Sequence, residues 1–193
     1  MLIRTVEAGA AISEIELARF ERDARLTLPA DYRAFLLGHN GGRPVPADFW
    51  LTFDDERLPW RIHYFYGLND PVESCSLQWN LNLTKNTRPF GTLPIASDEA
   101  GNMLYLRWDK QNAGSMYFGP LPSAHRVELT WLCGTFTEFI QPLHEADGKG
   151  YRKAWTVCAV PTPPMWGSFP QLRWPRSSAR AALNPLCPFS RRG

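Results

Sequence analysis

Few side chains in this sequence are spaced for chemistry. The densest carboxylates are Asp54, Asp55 and Glu56, with Asp98 and Glu99 further on. Such acids are the right ligands for calcium, but neither run has EF-hand spacing, and acids at hairpin tips are usually solvated. His144 and Asp147 could imitate an acid–base pair, yet they fall at a helix end beside Gly148 and Gly150. Cys75, Cys133, Cys158 and Cys187 form no CxxC pair, and His39, His63, His125 and His144 lie in different segments, so zinc spacing is absent. Isolated cysteines of this kind usually act as small buried hydrophobes. There is no GxSxG elbow, no Walker loop and no HExxH helix. The glycines at positions 38, 41 and 42 lack GxGxxG order and read as a helix stop. The expectation is a chain with no catalytic residues, no metal and no cofactor.

The elements around these residues are legible from period and punctuation. Ser13 and Glu16 form a capping box, with Ile12 and Leu17 as its hydrophobic staple, so a helix begins at Glu14 and runs to about Arg25. Ile15, Leu17, Ala18, Phe20 and Ala24 are expected to give it an apolar stripe. A second helix takes Pro29 at its first position and Asp31 at the positive end of its dipole. It places Tyr32, Phe35 and Leu36 on one face and stops at Asn40, Gly41 and Gly42. The period then changes from 3.6 to 2. DFWLTF (48–53) and RIHYFY (61–66) read as strands joined by the acidic turn Asp54, Asp55 and Glu56. Asp70, Pro71 and Glu73 look like a capped helix start continuing through Val72, Cys75 and Trp79. TLPIAS (92–97), NMLYLRW (102–108) and SMYFG (115–119) read as strands joined by tight turns. Thr135 and Glu138 cap a last helix, which Pro142 ends. The predicted class is α+β: a mainly antiparallel sheet of about 4–6 strands against two amino-terminal helices and a closing helix.

Charge divides the chain of 193 residues unevenly. Residues 1–149 hold 14 basic and 19 acidic side chains, a net of −5, while residues 150–193 hold 7 basic and none acidic. The later segment also has 7 of the 17 prolines, which oppose helix and sheet alike. It reads as a weakly ordered Pro/Arg/Trp-rich tail appended to a body that ends at 149. Its arginines and tryptophans sit in no known nucleic-acid module, so no direct nucleic-acid partner is expected. No run reaches a membrane span of about 18 apolar residues, and the first residues carry acids where a secretory leader needs an apolar run. The expected setting is cytoplasmic.

Three of these segments together resemble one family. LPADYRAFLLGHNGG (28–42), LPIASDEAGNMLYLRW (93–108) and TFTEFI (135–140) occur in the order and spacing of the SUKH superfamily, the Smi/Knr-type domain. The resemblance covers 12–143 and leaves the tail without a counterpart. It implies a binding domain without chemistry. Bacterial members are immunity proteins that neutralise a nuclease, deaminase or other toxin domain by direct contact, whereas fungal relatives regulate cell-wall assembly. The family's signature residues build the scaffold and its variable surface makes the contacts, so no contact residue carries over.

A candidate contact surface comes instead from charge. Toxins that attack nucleic acid have basic clefts, and a body of net charge −5 meets such a cleft with complementary potential. The surface expected is Asp54, Asp55 and Glu56 with Asp98 and Glu99, anchored by Trp50 and Trp60, because interface cores favour aromatic residues. Both tryptophans serve equally well as core residues on sequence grounds. A role in cell-wall assembly, or glycan binding through the aromatic surplus, remains the alternative reading.

Overall fold

The computed structural model describes residues 3–53, 56–110, 112–120 and 127–145, and only the backbone of Phe53 and Glu56. The tail predicted for 150–193 lies outside the described residues, as do Asp54, Asp55 and Asp147.

Helix α1 (Glu14–Ala24) starts where its capping box places it. The Ser13 hydroxyl accepts the Glu16 N–H at 3.3 Å, and the Glu16 carboxylate accepts the Ser13 N–H at 2.8 Å. Leu17 and Phe20 are buried and Ala24 packs beside them. Ile15 does not join them: it is 81% exposed, because it stands about 200° around the helix from Leu17. Helix α2 (Ala30–His39) starts one residue later than expected, with Pro29 as the residue before it at ψ 145°. Tyr32, Phe35 and Leu36 form its buried face.

The ends of α2 are fixed by two polar residues. At its start, one Asp31 oxygen accepts the Thr137 backbone N–H at 2.9 Å and the Thr137 hydroxyl at 3.1 Å, tying α2 to α4 (Phe136–Ile140). At its end, Asn40 takes the left-handed conformation at φ 47° and is 1% exposed. Its side-chain amide donates to the carbonyls of Ala10 at 2.7 Å and Leu68 at 2.9 Å, and its side-chain oxygen accepts the Leu68 N–H at 2.8 Å. The backbone passes so close that a Cβ on Gly67 would lie 2.5 Å from the Asn40 carbonyl oxygen. Asn40 is thus a buried hub joining the chain before α1, the end of α2 and the segment at 67–68.

The strands make three antiparallel units. β1 (Arg4–Val6) pairs with β2 (Arg43–Val45). β3 (Asp48–Phe53) pairs with β4 (Glu56–Arg61) as a hairpin. β5 (Tyr64–Phe65), β6 (Thr92–Ser97), β7 (Met103–Arg107), β8 (Met116–Gly119) and β9 (Thr130–Cys133) form the main sheet in that order. The strand expected at 61–66 is therefore two pieces of two sheets. Arg61 closes the hairpin, Ile62 N–H donates to Ala47, and His63 N–H donates to Ser97, which carries the chain into the main sheet. The helix expected from Asp70 is also divided. The Asp70 carboxylate accepts the Val72 N–H at 2.9 Å in a local turn, a short 3₁₀ turn follows at Glu73–Cys75, and α3 (Leu77–Leu83) is capped by Ser76.

Helices α2 and α4 lie on the sheet through aromatic rings. Phe35 meets Phe65 at 5.1 Å and Phe136 at 5.0 Å, and Tyr32 meets Phe136 edge-on at 5.0 Å. Such rings bury large apolar areas in preferred tilted geometries. Phe139 of α4 then reaches Phe49 of the hairpin at 5.3 Å, so one core holds helices, sheet and hairpin together. The fold is α+β, built among the described residues on a five-stranded antiparallel sheet with four α-helices.

Candidate partner-binding surface

The hairpin positions the two tryptophans oppositely. Residues on one strand alternate between faces, so Phe49 and Leu51 turn inward while Trp50 turns out. Across the ladder Trp60 pairs with Phe49 and shares its inward face. Trp60 is 8% exposed, lies edge-on to Phe118 at 5.0 Å, and donates its indole N–H to Asp98 at 2.7 Å. Asp98 also accepts the backbone N–H of Asn102 at 2.8 Å and its side-chain amide at 2.7 Å. Burial pushes the Asp98 carboxyl above its ordinary range, although these hydrogen bonds favour the ionised form. Asp98 and Trp60 are thus brought together as a support beneath the β6–β7 turn, and Glu99 beside them is exposed.

Trp50 is the exposed member, at 43%. Its ring is stacked nearly parallel on the His144 imidazole at 5.4 Å, and the Arg57 guanidinium lies 4.8 Å from the ring centroid. The register explains the second contact: Trp50 faces Pro59, so Arg57 is its diagonal neighbour on the same face. The first follows from a pair of backbone bonds between Asp48 and His144, each 3.0 Å, which bring the end of the body alongside β3. Next along this face the Asp48 carboxylate, 1% exposed, accepts two hydrogen bonds from Arg61 at 2.7 and 2.9 Å. Glu99 and Glu145 are exposed, and their charges favour the charged form of Arg61.

Of the residues expected to form the contact, Trp50 and Glu99 are exposed, Trp60 and Asp98 face inward, Asp54 and Asp55 lie outside the described residues, and Glu56 opens β4. Sequence reading missed Arg57 and Arg61, and weighed His144 only as an acid–base partner of Asp147, which lies outside the described residues. The two arginines were within reach of a diagonal-pair argument across the hairpin, but His144 arrives through a contact 96 positions from Asp48 that no local pattern encodes.

Chemistry elsewhere is sparse. Among the described residues no group of three or more His, Cys, Asp or Glu could hold a metal ion. The Cys133 thiol donates to the Thr135 carbonyl at 3.3 Å and is pushed by burial up to about 11, so it stays protonated at neutral pH and is a poor nucleophile. No helix among the described residues is long and apolar enough to cross a membrane. Residues 11–141 match the family model described as SMI1 / KNR4 family (SUKH-1). No curated protein matches the chain.

Proposed function

The chain belongs to the SMI1 / KNR4 family (SUKH-1), and from that premise we propose that it is an immunity protein, a binder rather than a catalyst. It neutralises a cognate toxin domain, of the nuclease or deaminase kind, by covering the toxin's active site. It works in the cytoplasm, without a cofactor and without touching nucleic acid or membrane itself. The observation that carries this reading is Trp50, an exposed aromatic held in one orientation by His144 and Arg57. A ring fixed before binding loses little entropy on binding, and aromatic anchors of this sort dominate interface energies. In sequence Asp54 and Asp55 fall between the two strands that present Trp50, Glu56 opens the second of them, and Glu99 is exposed. Together with the net charge of −5 on residues 1–149 they suit a partner with a basic cleft.

Co-expression with a candidate nuclease or deaminase toxin domain, followed by size-exclusion chromatography, tests the proposal. A complex that persists at micromolar concentration and suppresses the toxin's activity is expected. Toxin activity unchanged by excess of the protein, with no complex, would overturn the reading and favour a regulatory role in wall assembly.

A further inference from the structure

A concave surface is built from residues that take no part in the Trp50 face. The carboxyl end of α1, the loop at 26–29 and the β7–β8 turn enclose an open groove of about 720 Å³, with Trp108 and Pro29 among its walls. Phe90, 77% exposed, meets Trp108 edge-on at 5.6 Å and extends the apolar rim.

The charges around the groove are unequal in what they have left to offer. Both of its acids are already engaged. Glu21 accepts the Leu28 N–H at 2.8 Å and pairs with Arg33. Asp109 accepts from the Arg107 guanidinium at 2.9 Å, and that cation holds its carboxyl below the ordinary range. The basic residues Arg22, Arg25 and Lys110 are in the opposite condition. Among the described residues Arg22 has as ion-pair partner only its exposed neighbour Asp23 at 4.0 Å, and no carboxylate is within ion-pair distance of Arg25 or Lys110. An exposed pair such as Arg22–Asp23 is held by well under about 1 kcal/mol, so it yields readily to a better partner.

We propose that this groove is a docking site for an acidic, extended segment of a protein partner, with one apolar side chain on Trp108 and flanking carboxylates paired to Arg22, Arg25 and Lys110. The inference goes beyond the immunity reading, since it holds for any protein partner. A segment with the composition of 150–193, seven basic and no acidic side chains, is disfavoured as the occupant because it would add like charge to the groove. A nucleic acid is disfavoured by the groove's own make-up: three cations interleaved with Glu21 and Asp109 suit a few carboxylates around an apolar side chain and oppose a continuous row of phosphates.

The test uses the full chain, labelled with ¹⁵N, and a short acetylated peptide of glutamates around a central leucine. The Trp108 indole N–H resonance, assigned with Trp108→Phe, should shift saturably at low salt. Arg22→Glu with Lys110→Glu should weaken the peptide about tenfold or more, both sites being exposed and their folding checked by circular dichroism. The same peptide built with lysines should leave the resonance in place. No saturable shift, an equal shift from the lysine peptide, or binding by a single-stranded oligonucleotide in place of the peptide would each overturn the proposal. No toxin enters the measurement, so its failure leaves the immunity reading standing. Failure of the co-expression experiment likewise leaves this one untouched.

Discussion

Asn40 and Trp50 are only ten positions apart, yet they represent opposite uses of a side chain. Asn40 is buried, and its side-chain amide and carbonyl are spent on Ala10 and Leu68. Trp50 is also in contact with two neighbours, His144 and Arg57, but these leave much of the ring in solvent. Rigidity in the first case closes the fold; in the second it prepares a surface. The difference teaches that a residue's being well held does not tell what it is for, and that the accessible remainder does.

Substitutions can break or sharpen that contrast. The largest effect is expected from Asn40→Ala, which removes three hydrogen bonds, two of them buried, and leaves their backbone partners unsatisfied, at a cost of about 3–5 kcal/mol. Thermal unfolding should show a fall on the order of 10 °C, and a loss of only a degree or two would mean that the hub is not structural. Trp60→Phe comes next. It removes the indole bond to Asp98 and some core volume, roughly 2 kcal/mol by denaturant titration, and should leave affinity for the partner unaltered in material that is folded. Trp50→Ala should do the reverse, with stability within about 1 kcal/mol of the parent and affinity reduced tenfold or more by calorimetry. Should Trp50→Ala unfold the protein while binding survives in the folded fraction, the assignment of the two tryptophans is inverted.

The smallest effect concerns pH. Burial, with Arg43 nearby, holds the His63 imidazole below its ordinary 6.5. The unfolded chain therefore takes up the proton first as pH falls. The contribution of neutral His63 is present above about 6.5 and is lost as the solution is acidified toward the lower folded value. Stability measured by denaturant should decline between pH 7.5 and pH 5.5 (both about), and His63→Gln should flatten that decline. A parallel decline in both proteins would assign it to other groups.

How far the sequence could be read follows from the range of each interaction. Helix α1, its capping box, the face of α2 and strands β3 and β6 to β8 were legible, because Ser13–Glu16, Tyr32–Phe35–Leu36 and the alternating strand residues act over a few positions. β1, β2 and β9 were not, since strands of three or four residues owe their existence to distant partners, as Arg4 does to Val45. β4 was hidden by Pro59, which lacks the N–H a strand normally donates, and Asp70 was misleading because its carboxylate closes a local turn instead of capping a helix. At the candidate surface, the exposed Trp50 and Glu99 were among the residues named from sequence, whereas Trp60 and Asp98 face inward. Which tryptophan faces out depended on the register that sets Trp60 opposite Phe49, and the arrival of His144 depended on tertiary closure. The family resemblance fared better than any single residue because its three segments sample the fold from α2 to α4.

The two-faced construction of the β3–β4 ribbon has an evolutionary corollary. Phe49, Leu51, Leu58 and Trp60 anchor it from beneath, so Trp50, Thr52 and Arg57 are free to be exchanged without reopening the interior. A lineage pursued by changing adversaries could rewrite that outer row one codon at a time and keep the same body underneath.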